Sequence, residues 1–376
     1  RYTYYFFQQN CAYRLAEILE IVDGVEILPP NPIFTLPRSI LQQMAQGSRQ
    51  GEPLIKAINY HPSRQSRLYG KYSNLTPIEK KSVGNIASNI ESYKSKSYES
   101  LSLNSKQNVS NTLMDYFKFT EKTEFFPADI SNKYYEKSVL ERFKLPPRKE
   151  TKNTIEVQPP HEGRRASLLK LGFLHNDKLG DGLSIHLRPT YYDVLDTDSG
   201  HVKDSALAMG ELKMVLIDDS LKIRHLDIVK IKSVNPEITG LPGDNGKAWK
   251  LKLGIRQQNL SCLDCLALRF ESDYGLTARP LPFFLIGAFA GAGIQDNRNQ
   301  SGNLFVKASV FSHIKVSNTI NMRVLAELPE QIDGSGGGEN NFLLEARQVI
   351  SENADIRFLY EKNHTSEYSI AIGYYF

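Results

Sequence analysis

The chain has 376 residues and a formal net charge of +4, from 46 basic and 42 acidic side chains. This basic excess is too small and too dispersed to indicate nucleic-acid binding. The sequence has no uncharged apolar run long enough to cross a bilayer as a helix, which excludes a helical membrane protein but leaves a β-barrel open. The length suggests two domains.

The N-terminal residues resemble the middle of a domain. The chain starts at Arg1, without an initiator methionine or a signal peptide. An exported protein requires a leader, so we expect a leader and a further upstream segment. Tyr2–Phe7 is an aromatic and β-branched run that predicts a buried strand.

Cys11 opens a predicted helix directly after this strand. The helix is indicated by apolar residues at helical spacing: Leu15, Ile18, Leu19 and Val22. Asn10 is a suitable cap. The positive end of the helix dipole favours thiolate over thiol, and the first-turn N–H groups can hold an oxyanion. Cys11 is therefore a candidate nucleophile, although most free cysteines are small buried hydrophobic residues.

A thiol nucleophile also needs a base, and no histidine after Cys11 has a recognisable catalytic context. His61 precedes a proline in a loop, which favours a structural role. His161 lies at the entry to the C-terminal part.

The next segments are mostly helical. A Pro-rich connection (Glu26–Ile40) leads to a short helix at Ser39–Gln46 and an extended segment at Leu54–Tyr69. Amphipathic patterns then predict helices within three stretches: Thr76–Leu101, Ser105–Lys122 and Ser131–Lys144. Pro146–Pro160 is a predicted linker. One apolar stripe consists of Val109, Leu113, Tyr116 and Phe117. Such stripes normally form a core; the alternatives are packing on an upstream domain or closing the periplasmic mouth of a barrel.

From about Arg165 to Phe376 the pattern has period two. In the last segment the apolar positions are Tyr368, Ile370, Ile372, Tyr374 and Phe376. An aromatic C-terminus after alternating apolar residues resembles the terminal strand of outer-membrane barrels. About twelve such segments occur, an even number as single-chain barrels require. Alternation slips within Leu221–Asn235, which suggests a bulge.

Charged residues of both signs occupy the other face of these segments, where a barrel has its lumen. They are Lys170, Arg188, Glu211, Lys213, Lys250, Lys252, Arg256, Arg269, Glu271, Arg323, Glu327, Arg347 and Arg357. A narrow lumen with opposed charges is more often filled by salt bridges than open as a pore. A soluble β-sandwich also alternates, but it explains neither the aromatic terminus nor the charged face.

The remaining cysteines form a C-x-x-C pair. In an oxidising periplasm Cys262 and Cys265 are expected to form a disulfide in a turn between strands, which leaves Cys11 free. No second pair is present to complete a four-coordinate zinc site. The sequence predicts neither a metal nor a cofactor.

The segment from Tyr4 to Leu15 (YYFFQQNCAYRL) resembles the Asn-Cys motif of the Lnb-type lipoprotein N-acyltransferase family. Tyr60–Arg64 and Leu113–Phe117 resemble later stretches of its periplasmic cysteine domain. Arg188–Asp196 (RPTYYDVLD) resembles the start of the barrel domain in one branch. The wider relatives are permuted papain-like enzymes, in which the catalytic histidine precedes the cysteine. The resemblance therefore implies a base upstream of Arg1 or on an associated chain.

The implied reaction is a two-step acyl transfer. Cys11 attacks a phospholipid ester and forms a thioester, with its own N–H in the oxyanion hole and Asn10 as cap and orienting residue. The N-terminal amine of a lipoprotein then takes the acyl chain. The alternatives are a cysteine hydrolase acting on peptidoglycan or lipid esters, and a non-enzymatic scaffold or channel.

The expected architecture is thus an incomplete, mostly helical α+β part at 1–160 and an all-β transmembrane barrel of about twelve antiparallel strands at 161–376. We expect the barrel in the bacterial outer membrane and the N-terminal part in the periplasm. The expected partners are a phospholipid donor and a lipoprotein acceptor.

Overall fold

The computed structural model describes residues 5, 9–22, 25–28, 35–49, 51–59, 61–123, 125–148, 159–196, 201–236, 238–296, 302–333 and 339–376. Most of the predicted strand at Tyr2–Phe7 and of the linker at Pro146–Pro160 lies outside these residues. The described helices are α1 (Cys11–Leu19), α2 (Pro37–Gln46), α3 (Arg64–Ser73), α4 (Pro77–Ser88), α5 (Lys96–Glu99), α6 (Leu103–Thr123) and α7 (Ala128–Phe143). None of them is long and apolar enough to span a bilayer.

The strands begin with a short hairpin, β1 (Ser48–Arg49) and β2 (Glu52–Pro53). The others are β3 (Leu168–Asn176), β4 (Gly180–Arg188), β5 (Thr190–Tyr192), β6 (Ala206–Ile217), β7 (Ser220–Val234), β8 (Lys247–Gln257), β9 (Leu266–Leu281), β10 (Phe284–Gln295), β11 (Leu304–Lys315), β12 (Ile320–Gln331), β13 (Asn341–Ser351), β14 (Ala354–Lys362) and β15 (Ser366–Tyr375).

Twelve of these strands form a closed antiparallel barrel, as the sequence predicted. From β6 to β15 each strand pairs with the next, β4 pairs with both β3 and β6, and β15 closes the barrel on β3. The short β5 pairs with β6 alone. We call the end where β3 begins and β15 ends the terminal end of the barrel, and the other the opposite end.

The exterior is apolar, which makes this a transmembrane barrel of the outer-membrane type. On β15 the outward side chains Ile370, Ile372 and Tyr374 are 54, 62 and 56 % exposed. The predicted bulge is confirmed, because the pairing of β7 shifts register opposite Lys213 and again at Asp227.

The chain divides into two compact units that do not coincide with the expected boundary at residue 160. One comprises Arg1–Ile58, Gln158–Pro236 and Lys247–Phe376; the other comprises Asn59–Val157 and Glu237–Gly246. The N-terminal residues cluster with the barrel because α2 packs on a 3₁₀ turn at Pro160–Glu162, where Gln42 donates to the Gly163 carbonyl (2.5 Å).

The second unit, the helical unit, has its own core. The predicted stripe at Val109, Leu113, Tyr116 and Phe117 is fully buried there. Leu241, from the connection between β7 and β8, lies in the same core. Tyr116 donates to the Pro242 carbonyl (2.7 Å) and Tyr69 to Asp244 (2.6 Å). The stripe is therefore internal to this unit.

The structure of two N-terminal segments differs from the sequence prediction. The segment Leu54–Tyr69 is not extended throughout, because Ser63 caps α3 by accepting the Ser66 N–H (3.1 Å). The stretch Thr76–Leu101 is not one helix, because Asn89 and Ser95 take extended conformations and cap new turns.

Helix α4 begins with a capping box formed by Thr76 and Glu79. Burial would raise the pKa of Glu79, but hydrogen bonds from Thr76, Asn108 and Ser105 outweigh it and lower this pKa. The carboxylate thus stabilises the helical unit near neutral pH, and its contribution is lost as the pH falls through the lowered pKa.

Shortening Leu113 should destabilise the helical unit. Leu113 is fully buried, so Leu113→Ala leaves a cavity and should lower the opening free energy of α6 by about 2–5 kcal/mol. Hydrogen exchange of the full chain measures this quantity. Leu140→Ala is the matched control, since Leu140 is 62 % exposed and should change it by less than about 0.5 kcal/mol. Equal effects would contradict the assigned core.

Candidate functional site

Cys11 is the first residue of α1, and its side chain is exposed. Asn10 is the N-cap: its Oδ1 accepts the backbone N–H groups of Ala12 (3.1 Å) and Tyr13 (3.2 Å). Its Nδ2 donates to the Thr35 carbonyl (2.6 Å), and Asn10 itself is only 7 % exposed. The Asn10 side chain is thus held both by the α1 backbone and by the Thr35 carbonyl. The alternative of a small buried hydrophobic residue does not fit an exposed thiol.

One face of α1 packs in a small core in which Ala16 joins Ile27 and Ile40. The predicted apolar positions mostly lie elsewhere, since Leu15, Ile18 and Val22 are 58, 61 and 45 % exposed. Leu15, Ile18 and Leu19 lie in α1 as predicted, but Val22 lies beyond its end, and only Leu19 of the four packs against this core. The helix therefore presents apolar side chains on the same short element as the thiol.

The structure does not join a described histidine to this thiol. Among the described residues, none forms a hydrogen bond with the Cys11 thiol. His61 is exposed and precedes α3. His161 lies in the 3₁₀ turn at Pro160–Glu162, with its Nε2 3.8 Å from the Glu162 carboxylate. A base upstream of Arg1 stays a prediction.

The barrel interior is filled with charged side chains. Eleven of the thirteen predicted lumen residues line a cavity of about 330 Å³, and the other two, Arg188 and Arg347, are 1 % exposed. Ion pairs connect many of them between different strands. Lys307 pairs with Glu271, Asp273 and Glu327, and Arg323 with Glu345 (2.7 Å). Opposite charges thus lie close together inside this barrel.

The densest network lies at the terminal end, where the chain after β5 folds inward. We call it the terminal network; it comprises Arg188, Asp193, Asp196, Arg347, Asp355, Arg357 and Tyr375. Arg188 pairs with Asp193 (2.8 Å) and Asp196 (2.7 Å), and Arg357 pairs with the same two carboxylates (2.7 and 2.9 Å). The three guanidinium groups and three carboxylates balance in charge.

The terminal network ties the inward segment to the last strand. The Tyr375 hydroxyl lies 2.7 Å from both Asp196 and Asp355. Arg347 donates to Asp355 (2.5 Å) and to the Leu195 carbonyl (2.7 Å), and Leu195 is 1 % exposed. Arg188 was predicted to face the lumen, whereas the inward turn through Asp196 was not. This turn was missed because its pairing with β13–β15 is remote in sequence.

Helix α2 approaches the same network. Burial lowers the pKa of Arg38, while the nearby Asp196 carboxylate acts in the opposite direction. Arg164, just before β3, stacks its guanidinium 4.8 Å from the Tyr375 ring centre. The segment carrying Cys11 is therefore linked through α2 to the terminal end of the barrel.

At the opposite end, the connection between β8 and β9 also folds inward. Its Leu260 carbonyl accepts from Asn176 (3.0 Å), and Gln257 donates to the Leu263 carbonyl (2.8 Å). Cys262 and Cys265 form a disulfide in this connection, with Cα atoms 5.8 Å apart. Segments folded into both ends thus border the cavity.

The family model described as a domain of unknown function, DUF7840, matches residues 157–375, which include the whole barrel. The chain belongs to the DUF7840 family. No curated protein matches it.

Two solved porins and another solved outer-membrane protein are similar to the DUF7840 chain in fold. The KdgM porin is 6 % identical with a TM-score of 0.35 and covers 56 % of this chain and 99 % of its own. The NanC porin is 10 % identical (TM-score 0.34, covering 55 % and 98 %). Omp33 of Acinetobacter baumannii is 9 % identical (TM-score 0.30, covering 57 % and 99 %). Similarity at this level carries no functional information.

Breaking the terminal network should weaken the DUF7840 barrel at its terminal end. Asp196→Ala leaves Arg188 and Arg357 under-compensated, at a cost of about 3–5 kcal/mol. The variant should unfold at lower temperature in the heat-modifiability assay and conduct more in planar bilayers than the parent. Asp181→Ala, at an exposed hairpin carboxylate, is the control. Unchanged stability and conductance in Asp196→Ala would exclude a closing role.

The thiol count should separate the three cysteines. Denatured without reductant, the chain should take up one alkylating group, at Cys11; after reduction it should take up three. Mass spectrometry of intact protein measures both. Three alkylated thiols before reduction would argue against the disulfide.

Proposed function

We propose that this protein is an outer-membrane thiol acyltransferase whose barrel is a closed membrane anchor. The observation that carries the proposal is the exposed Cys11 thiol at the first position of a helix whose N-cap is rigidly held. Free N–H groups of a first helical turn stabilise both a thiolate and an oxyanion. The resemblance around Asn10 and Cys11 supports the acyl chemistry.

In the first proposed step the Cys11 thiolate attacks the ester carbonyl of a phospholipid. The tetrahedral oxyanion is held by the Cys11 N–H, because the Ala12 and Tyr13 N–H groups already donate to Asn10. Collapse of the oxyanion expels the lysophospholipid alkoxide, which takes up a proton. In the second step the N-terminal amine of a lipoprotein attacks the thioester. An amide forms, the amine loses a proton and the thiol is released.

An acyl donor and acceptor that both reside in membrane suit an enzyme fixed to a barrel. The link from α1 through α2 to the terminal end places Cys11 in the unit that contains the barrel. We place this end in the periplasm. The charge-filled lumen favours an anchor over a channel, because paired opposite charges leave little continuous water path.

Incubation with a phospholipid carrying a labelled acyl chain tests the proposal. The full chain should gain one acyl mass, and Cys11→Ala should abolish the adduct while the barrel remains heat-modifiable. The Cys262→Ser/Cys265→Ser double variant is the control and should keep the adduct. Absence of an adduct in the parent chain would contradict the proposal and favour a scaffold.

A lipopeptide with a free N-terminal cysteine amine should discharge the adduct and become amidated, whereas its N-acetylated form should not. Chromatography with mass detection measures the product. Release of free fatty acid at equal rates with both peptides would instead show a hydrolase.

A further inference from the structure

Two histidines and a glutamate meet in the barrel lumen, away from Cys11. His186 lies on β4, Glu211 on β6 and His225 on β7, three strands that are adjacent in the barrel. One possible ligand atom from each lies within 4.8 Å of the other two. All three side chains line the lumen cavity.

The register of the strands brings these three side chains close together. His186 pairs with Lys213, and Lys213 pairs with His225, so the two imidazoles flank one position of β6. Glu211 is two residues before Lys213 and therefore lies on the same face. The β7 register then jumps from His225 to Ile223, which leaves Arg224 as the extra residue of a bulge. This bulge lets both Arg224 and His225 face inward.

The three side chains differ in the hydrogen bonds that they make. The His186 Nε2 lies 2.8 Å from Glu211 Oε1, and the other Glu211 oxygen accepts from Lys230 (2.8 Å). The His225 ring packs edge-on against His186, with ring centres 5.9 Å apart. Within the described part of the chain, no hydrogen bond is made by the His225 imidazole.

We propose that His186, Glu211 and His225 bind one divalent transition-metal ion of the zinc type. Two imidazoles and one carboxylate are a donor set that Zn²⁺, Co²⁺ and Ni²⁺ prefer over Mg²⁺ and Ca²⁺. Ligand atoms in a tetrahedral zinc site lie about 3.3 Å apart, so closing from 4.8 Å requires only side-chain rotation. The fourth position would face the cavity and hold water or a small anion.

Lys230 fits this arrangement as an outer partner. Glu211 can give Oε1 to the metal while Oε2 keeps its hydrogen bond to Lys230, which fixes the carboxylate orientation. The ammonium groups of Lys170 and Lys230 oppose a cation. Among the nearby carboxylates, Asp227 is bound by Lys252 and Arg256 (3.3 Å each), whereas Glu211 retains an oxygen that faces the imidazoles.

The alternative is a metal-free polar cluster, in which His186 and Glu211 form a satisfied hydrogen bond. That account explains these two residues but gives His225 no partner. A metal ion would be bound by all three side chains, because an imidazole nitrogen that faces a cavity is available for coordination.

The test uses the full chain in detergent, without a histidine tag, after removal of metal by a chelator. Titration with Co²⁺ should saturate at one equivalent of bound ion and give visible d–d absorption typical of four-coordinate nitrogen and oxygen ligands. Zn²⁺ should displace the bound Co²⁺. His225→Gln should abolish this spectrum.

His313→Gln is the matched control, because His313 is also a lumen histidine and lies 3.2 Å from the Lys232 ammonium. Together with the exposed His175→Gln, it should leave one equivalent bound at unchanged affinity. Heat-modifiability confirms that each variant retains its barrel. The proposal fails if the folded parent binds no Co²⁺ or Zn²⁺, or if folded His225→Gln binds them as tightly as the parent.

Discussion

The closed ladder of interstrand hydrogen bonds is the constraint on which the rest of this structure depends. Inside a bilayer no water is available to backbone N–H and C=O groups, so a sheet can cross only if its last strand pairs with its first. Here β15 closes on β3 over nine residue pairs, from Glu367 and Asn176 to Tyr375 and Leu168. In a closed barrel the number of strands, together with their tilt and stagger, sets the width of the lumen.

A twelve-stranded lumen lined with charged side chains requires neutralisation. A buried charge is tolerated when it is paired and hydrogen-bonded. The terminal network meets this requirement with equal numbers of guanidinium groups and carboxylates around Tyr375. Its inward segment supplies Asp193 and Asp196, so the loop that occupies the lumen also provides two of the three carboxylates that balance the arginines.

The sequence was sufficient to predict the barrel, because the period-two alternation within each strand identifies the face toward lipid and the face toward the lumen. It placed Ile370, Ile372 and Tyr374 on the outer face and Arg357 inside, and it located the β7 bulge from a slip in the pattern. It also placed Cys11 and Asn10 at the start of a helix, since capping depends on residues next to each other.

What the sequence left out depends on contacts remote along the chain. The inward turn at Asp193–Asp196 is specified by partners on β13–β15, more than 150 residues later. His225 was not singled out, because its neighbours belong to two other strands and a bulge brings it to them. The exposure of Leu15 and Ile18 could not be predicted from their spacing. Helical spacing identifies an apolar face but does not show which element, if any, packs against it.

The packing of Leu241 in the helical unit has a consequence for biogenesis. Residues 59–157 precede the barrel in the chain, yet their core includes a side chain from the connection between β7 and β8. During export the helices emerge first, but they lack this part of their core until about 85 further residues have followed. Completion of the helical unit is therefore delayed until four of the twelve barrel strands, β3, β4, β6 and β7, have followed, which couples the maturation of this unit to that of the membrane-embedded barrel.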